Sequence, residues 1–205
     1  MQQLKQALKR YPRLEHYSHY LGRMIYMVKR LVKQGAYMGW SYLVLDEEKV
    51  IYLVIQKVAC TSIKASMVNL DSNEYYLDVI REIRQTGHTA TYLNAREYRD
   101  YFVFTFVRDP FTRLVSCYEN KYHPTRKPEP NDHLKYDYYL MGFLRKDRGF
   151  RSFARRVSWI PDRIADSHFA SQSFMIDRMG QNPKPNFIGH FERLEEEYEP
   201  IRQKY

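Results

Sequence analysis

Apolar residues recur along this chain with two different periods, and the changes of period mark its elements. Leu14, Tyr17, Leu21, Met24, Val28 and Leu31 fall three or four positions apart, the spacing of one helical face, and Gly35 is a natural stop. Residues 40–45 and 50–55 are short runs of β-branched, aromatic and aliphatic residues. Asp46-Glu47-Glu48-Lys49 separates them, which predicts a hairpin. Helical stretches are expected over 61–70 and 74–85. Residues 101–107 read YFVFTFV, a near-continuous apolar run suited to a buried strand. A helical pattern follows to about Tyr122, with Asp109 placed to cap it and Pro110 suited to its first turn. Residues 123–131, with Pro124, Pro128 and Pro130, read as a surface loop. Helices are expected over 134–148 and 150–157, a strand over 186–190, and an acidic helix from Glu192. Strands alternating with helices predict an α/β fold with a mostly parallel central sheet flanked by helices.

Composition narrows the class. With 205 residues, 44% hydrophobic and 28% charged, the chain is neither largely disordered nor collagenous. Thirty-three Lys and Arg against 24 Asp and Glu give +9, which predicts attraction to something anionic without naming it. Residues 1–34 hold eight basic side chains against Glu15, a net +7, which leaves +2 for the rest. Two uses of this basic helix stay open: packing on the domain's own core, or peripheral contact with an anionic membrane through residues 14–33. Nucleic acid is not the expected partner, because the phosphate-binding candidates lie outside the basic region. Cys60 and Cys117 lack zinc-site spacing and are too few for a disulfide framework, so both are expected as thiols in a reducing compartment. With no apolar run near the ~20 residues of a span, and a polar start, the expected location is cytoplasmic, with membrane association limited to that peripheral contact.

Two strand-to-helix junctions carry the candidate chemistry. The first is Gln56-Lys57-Val58-Ala59-Cys60-Thr61-Ser62-Ile63-Lys64. A helix start offers unpaired N–H groups and partial positive charge, small Ala59 lets the backbone approach an anion, and Thr61 and Ser62 add hydroxyls. Lys57 and Lys64 add charge. The glycines of the Walker A pattern are missing, and a capped helix with two solvated lysines would share this composition. The second junction runs from Val107-Arg108-Asp109-Pro110 through Arg113 to Ser116-Cys117-Tyr118. Arg108 sits where a strand ends, the usual ligand edge of open α/β sheets. Ion-paired surface arginines and a helix-packing Ser116 would read the same way.

Together the two segments resemble the cofactor motifs of the carbohydrate sulfotransferases, in the group containing the chondroitin, dermatan and heparan 2-O sulfotransferases. Lys57 to Lys64 is similar to that group's 5′-phosphosulfate loop, and Arg108 to Tyr118 to its 3′-phosphate motif. A weaker likeness runs from about Tyr42 to Tyr198, including Asp166-Ser167-His168, Gln172 and the segment from Phe187 to Glu195. The resemblance implies a P-loop-like fold using PAPS (3′-phosphoadenosine 5′-phosphosulfate) to sulfate a hydroxyl on a carbohydrate or glycolipid, with no metal required. It implies that Lys57, Ala59, Cys60, Thr61 and Ser62 hold the 5′-phosphosulfate and that Arg108 and Ser116 hold the 3′-phosphate. The resemblance also implies a catalytic part for Lys57 on the bridging oxygen.

His88, in Thr86-Gly87-His88-Thr89, resembles the segment carrying the catalytic histidine of the heparan 2-O enzymes, and an imidazole suits base work near neutrality. His168 beside Asp166 is its rival, and a glutamate stays open. Acceptor contacts are expected at His168, Arg151, Arg155 and Arg156, with Tyr136, Tyr138 and Tyr139 as a stacking cluster, although helix arginines and tyrosines more often serve as a solvated face and as packing. The domain reading is a basic helical segment at 1–35 and a sulfotransferase-like α/β domain at 36–205, shorter at its C-terminus than members of that group. The alternative is a catalytically inactive module that binds PAPS or 3′,5′-ADP.

Overall fold

The computed structural model describes residues 12–34, 42–69, 89–90, 93–125, 139–144, 148–177 and 183–205. The chain divides into two units, Met1–Met38 with Val115–Ala165 and Gly39–Leu114 with Asp166–Tyr205. The first contains helix α1 (Pro12–Gln34), which packs along a 3-10 turn at Tyr139–Gly142. The helix expected over 134–148 is, where described, that single turn. Its path breaks at Gly142, whose φ of 73° leaves the right-handed region. Helix α4 (Gly149–Val157) buries Phe153 against Tyr118 and Tyr122 from a π-helical turn at Tyr118–Tyr122.

The second unit holds the sheet. Strands β1 (Tyr42–Leu45) and β2 (Val50–Leu53) form the expected antiparallel hairpin, and both are wholly buried. Helix α2 (Cys60–Met67) follows β2, and a short strand β3 (Thr89–Ala90) pairs with the outer side of β1. Strand β4 (Phe102–Val107) lies parallel to both β2 and β5 (Phe187–His190), giving the order β3-β1-β2-β4-β5. Helices α3 (Pro110–Cys117), α5 (Gln172–Asp177) and α6 (Leu194–Arg202) complete the described elements. The fold is the expected α/β arrangement, parallel where it carries the two candidate loops and antiparallel in its hairpin extension.

The near-continuous apolar pattern of β4 is explained by its place between two parallel neighbours. Tyr52 and Phe104 stack at 5.0 Å across β2 and β4, and Thr105, the polar residue in the run, donates its hydroxyl to the Leu53 carbonyl at 2.8 Å. Gly189 on β5 sits opposite Phe106, whose ring lies 2.4 Å from where a β-carbon would stand. A side chain there has no room beside the buried ring.

Parallel pairing decides where the chemistry lies. Strands β2, β4 and β5 all end at the same edge of the sheet, so the segments after Leu53, Val107 and His190 emerge together.

Candidate active site

The loop after β2 is held in an unusual conformation. Lys57 and Ala59 have φ of 70° and 57°, left-handed values that cost a residue with a β-carbon, and buried Val58 anchors the loop between them. Ala59 occupies the N-cap position of α2, where its methyl group cannot accept a hydrogen bond, and no acidic residue stands in the first turn. The leading amides of the helix therefore point to an acceptor that the loop's own side chains do not supply. Thr61 is half-buried and Ser62 exposed beside them, while Cys60 is buried with its Sγ 3.3 Å from Gln56 Oε1. Lys57 is half-buried. Lys64, expected to add charge, is instead 8% exposed within the body of α2.

The second loop supplies what holds the first in place. Arg113 is 4% exposed, and its guanidinium donates to three carbonyls: Nε to Gln56 at 2.9 Å, Nη1 to Ala170 at 2.8 Å and Nη2 to Ser167 at 2.8 Å. Arg108 donates from Nη1 to the Lys57 carbonyl at 3.3 Å and from Nε to Thr112 Oγ1 at 3.1 Å, with its guanidinium carbon 4.3 Å from the centre of the Phe191 ring. Two arginines of one motif thus grip consecutive carbonyls, Gln56 and Lys57, of the other. A guanidinium has five N–H groups, so Arg108 retains one on Nη1 and both on Nη2 without a partner among the described residues.

Three further contacts fix Arg108 and Asp109. The Gln172 side chain clamps the Arg108 backbone, accepting its N–H at 2.9 Å and donating to its carbonyl at 2.7 Å. Glu192 accepts the Asp109 N–H at 2.9 Å. Asp109 caps α3 as expected, its Oδ1 accepting the Thr112 amide at 2.9 Å. Behind Phe191, Glu197 accepts the His190 amide at 2.7 Å and pairs with Arg193 at 2.5 Å. The amide first, and then the guanidinium, hold its carboxyl below the ordinary carboxylate range.

His168 belongs to the same stitched region. Its Nδ1 lies 2.5 Å from Oδ1 of Asp166, which is 4% exposed and also accepts the His168 amide at 3.0 Å. Ser116 is half-buried near the end of α3, and Arg151 and Arg155 are exposed on α4. Arg156 is instead engaged within its own unit, donating to the Phe143 carbonyl at 2.6 Å. His88, Tyr136 and Tyr138 lie outside the described residues, as does the helix expected over 74–85. The clamping by Arg113 and Gln172, and the stacking of Phe191 on Arg108, are not visible in spacing, because their partners stand more than 50 residues away. Cys60 and Cys117 are both buried, and neither forms a disulfide. Among the described residues no cluster of His, Cys, Asp and Glu has the arrangement of a metal site.

An uncapped helix start beside a lysine and an oriented arginine, at the C-terminal edge of a parallel sheet, is an arrangement suited to an anion in an α/β protein. The chain belongs to the Sulfotransferase family, whose model matches residues 40–204. It is similar to carbohydrate sulfotransferase 11 of Rattus norvegicus, at 32% identity over 118 residues, 52% of this chain and 33% of that protein. Carbohydrate sulfotransferase 11 of Danio rerio is 33% identical over 93 residues (40% of this chain, 26% of that one). Carbohydrate sulfotransferase 12 of Mus musculus is 31% identical over 105 residues (40% and 25%). The chain spans a quarter to a third of the length of these curated relatives. They support the carbohydrate sulfotransferases broadly and do not single out the 2-O enzymes. No solved structure matches the chain.

Proposed function

We propose that this protein transfers a sulfuryl group from PAPS to a hydroxyl of a carbohydrate or glycolipid by in-line displacement. One observation carries the reading: Arg108 and Arg113 seize the Lys57 and Gln56 carbonyls, joining the 5′-phosphosulfate and 3′-phosphate motifs into one region. The donor set suits the donor molecule, since a helix start with no cap and no acid favours a phosphate. PAPS bound there supplies an activated sulfuryl group and a bisphosphate leaving group.

The chain's own residues divide the remaining work. The amides around Ala59 and Cys60, with the Thr61 and Ser62 hydroxyls, hold the 5′-phosphate. Lys57 offsets negative charge at the bridging oxygen as its bond to sulfur breaks and the acceptor oxygen's bond to sulfur forms. Arg108, with three N–H groups that have no partner among the described residues, holds the 3′-phosphate, a role in which the resemblance also includes Ser116. A base takes the acceptor's proton, a role worth typically ~10²–10⁴ in rate. His88 is the first assignment. The Asp166–His168 pair favours a second, because a buried carboxylate on Nδ1 orients the ring, and an oriented imidazole suits base work near neutrality. Arg151 and Arg155 are assigned to an acidic acceptor.

Radiolabelled PAPS offered with a panel of desulfated glycosaminoglycans and glycolipids tests the reading. Transfer that is lost in Lys57→Ala supports it, whereas tight 3′,5′-ADP binding without transfer to any acceptor identifies an inactive binding module. His88→Ala and His168→Ala then separate the two bases, since the true one loses about 10²-fold or more in rate while still binding 3′,5′-ADP.

A further inference from the structure

Helix α1 carries two apolar faces, and its own unit covers one of them. Tyr20, Met27 and Leu31 are half-buried on the covered side. Tyr17, Leu21, Met24, Ile25, Val28 and Val32 lie at i, i+4, i+7, i+8, i+11 and i+15, a single stripe, and every one is exposed, from Met24 at 41% to Val32 at 82%. Apolar side chains aligned over some four turns are not the scattered exposure usual for a protein surface. The flanks of the stripe are basic: Lys29 and Lys33 are exposed beside it, and α1 holds five Arg and Lys against Glu15.

From this face we propose that α1 docks flat on an anionic lipid surface, the stripe entering the acyl boundary while Lys29 and Lys33 meet the headgroups. Charge selects this occupant. After Glu15 the helix has no acidic residue, so a second copy packed along the same stripe brings lysines and arginines towards their own kind. An anionic bilayer complements both the apolar stripe and its basic edge. Among the described residues no helix is long and apolar enough to cross a membrane, which is consistent with α1 lying in the interface plane. The inference does not depend on the reaction assigned above, because it concerns binding through a different element.

The test is sedimentation of the full chain with vesicles of phosphatidylcholine alone, or with about 30% phosphatidylserine added. Wild type is expected to sediment with the anionic vesicles, to release as salt rises, and to bind neutral vesicles about tenfold or more weakly. Leu21→Glu/Val28→Glu changes exposed positions and is expected to abolish sedimentation while keeping the wild-type thermal shift with 3′,5′-ADP. Lys29→Glu/Lys33→Glu is expected to reduce anionic binding by about tenfold or more. Absence of wild-type binding, or equal binding by the Leu21→Glu/Val28→Glu variant, overturns the proposal. Equal binding to neutral and anionic vesicles overturns the choice of an anionic surface. A dimer that dissociates in Leu21→Glu/Val28→Glu, together with no vesicle binding, assigns the stripe to a second copy instead.

Discussion

Replacing Arg113 with methionine removes three charge-assisted hydrogen bonds while keeping much of the side chain's apolar volume. The carbonyls of Gln56, Ser167 and Ala170 lose their donor together. Bonds from a charged donor are worth about 1.5–3 kcal/mol each, and orphaned carbonyls cost about 1–3 kcal/mol where water cannot reach them. The three share one guanidinium and do not add fully, so the expected loss is about 3–5 kcal/mol. Against a typical total of about 5–15 kcal/mol this is large. At about 2–4 °C per kcal/mol for a chain of this size, the melting temperature should fall by about 6–20 °C. Arg113→Lys, able to reach fewer carbonyls, should fall between wild type and Arg113→Met. It should also bind 3′,5′-ADP more weakly when measured well below its melting temperature, because the Gln56–Lys57 peptide is no longer fixed. An exposed, non-structural arginine would shift stability by less than about 0.5 kcal/mol. A change in melting temperature under about 2 °C in Arg113→Met would refute the clamp.

Gly189→Ala sets a β-carbon against the Phe106 ring and should cost about 1–3 kcal/mol in urea unfolding, with part of the loss recovered by Phe106→Leu; an unchanged midpoint refutes that packing. Glu197 titrates below its ordinary value of 4.5 in the folded chain, so its stabilising contribution is complete above that pH and disappears as pH falls through the folded value. Unfolding followed from pH 7 to pH 3 should therefore show wild type and Glu197→Gln converging on the acid side, and a constant gap would contradict the pairing with His190 and Arg193. Gln172→Ala frees both backbone groups of Arg108 and should weaken 3′,5′-ADP binding by about fivefold or more, while AMP, which lacks the 3′-phosphate, is much less affected.

The sheet is legible in the sequence because its strands advertise themselves. The YFVFTFV run reads as a strand covered on both faces, and Asp46-Glu47-Glu48-Lys49 between two β-rich runs reads as the turn of a hairpin. Both candidate loops are marked by local chemistry, since a helix start following a strand is a sequence-local feature, while their phosphate roles rest on the family resemblance of the two motifs together. What holds those loops is not local. Arg113 reads equally well as a surface ion-pair residue, and only the tertiary fold brings the Gln56, Ser167 and Ala170 carbonyls around it. Phe191 reads as an ordinary apolar residue entering the final helix, yet its ring stacks on Arg108 from 83 positions away. The burial of Lys64 is hidden for the complementary reason: the apolar spacing of α2 does not show that the helix body is covered on the lysine's side. Within the described residues 139–144 a 3-10 turn at Tyr139–Gly142 stands where helix is expected, because periodicity does not register the positive φ of Leu140 and Gly142.

If Lys57 and Arg108 form one site, it distinguishes a 3′,5′-bisphosphate from other adenine nucleotides. Calorimetric titration of wild type with 3′,5′-ADP, AMP and ATP tests it most directly. With such a site 3′,5′-ADP binds at least about tenfold more tightly than AMP or ATP, a difference of ~1.4 kcal/mol, and Arg108→Ala removes the advantage over AMP. Equal affinity for all three nucleotides, or an advantage that survives Arg108→Ala, would contradict it.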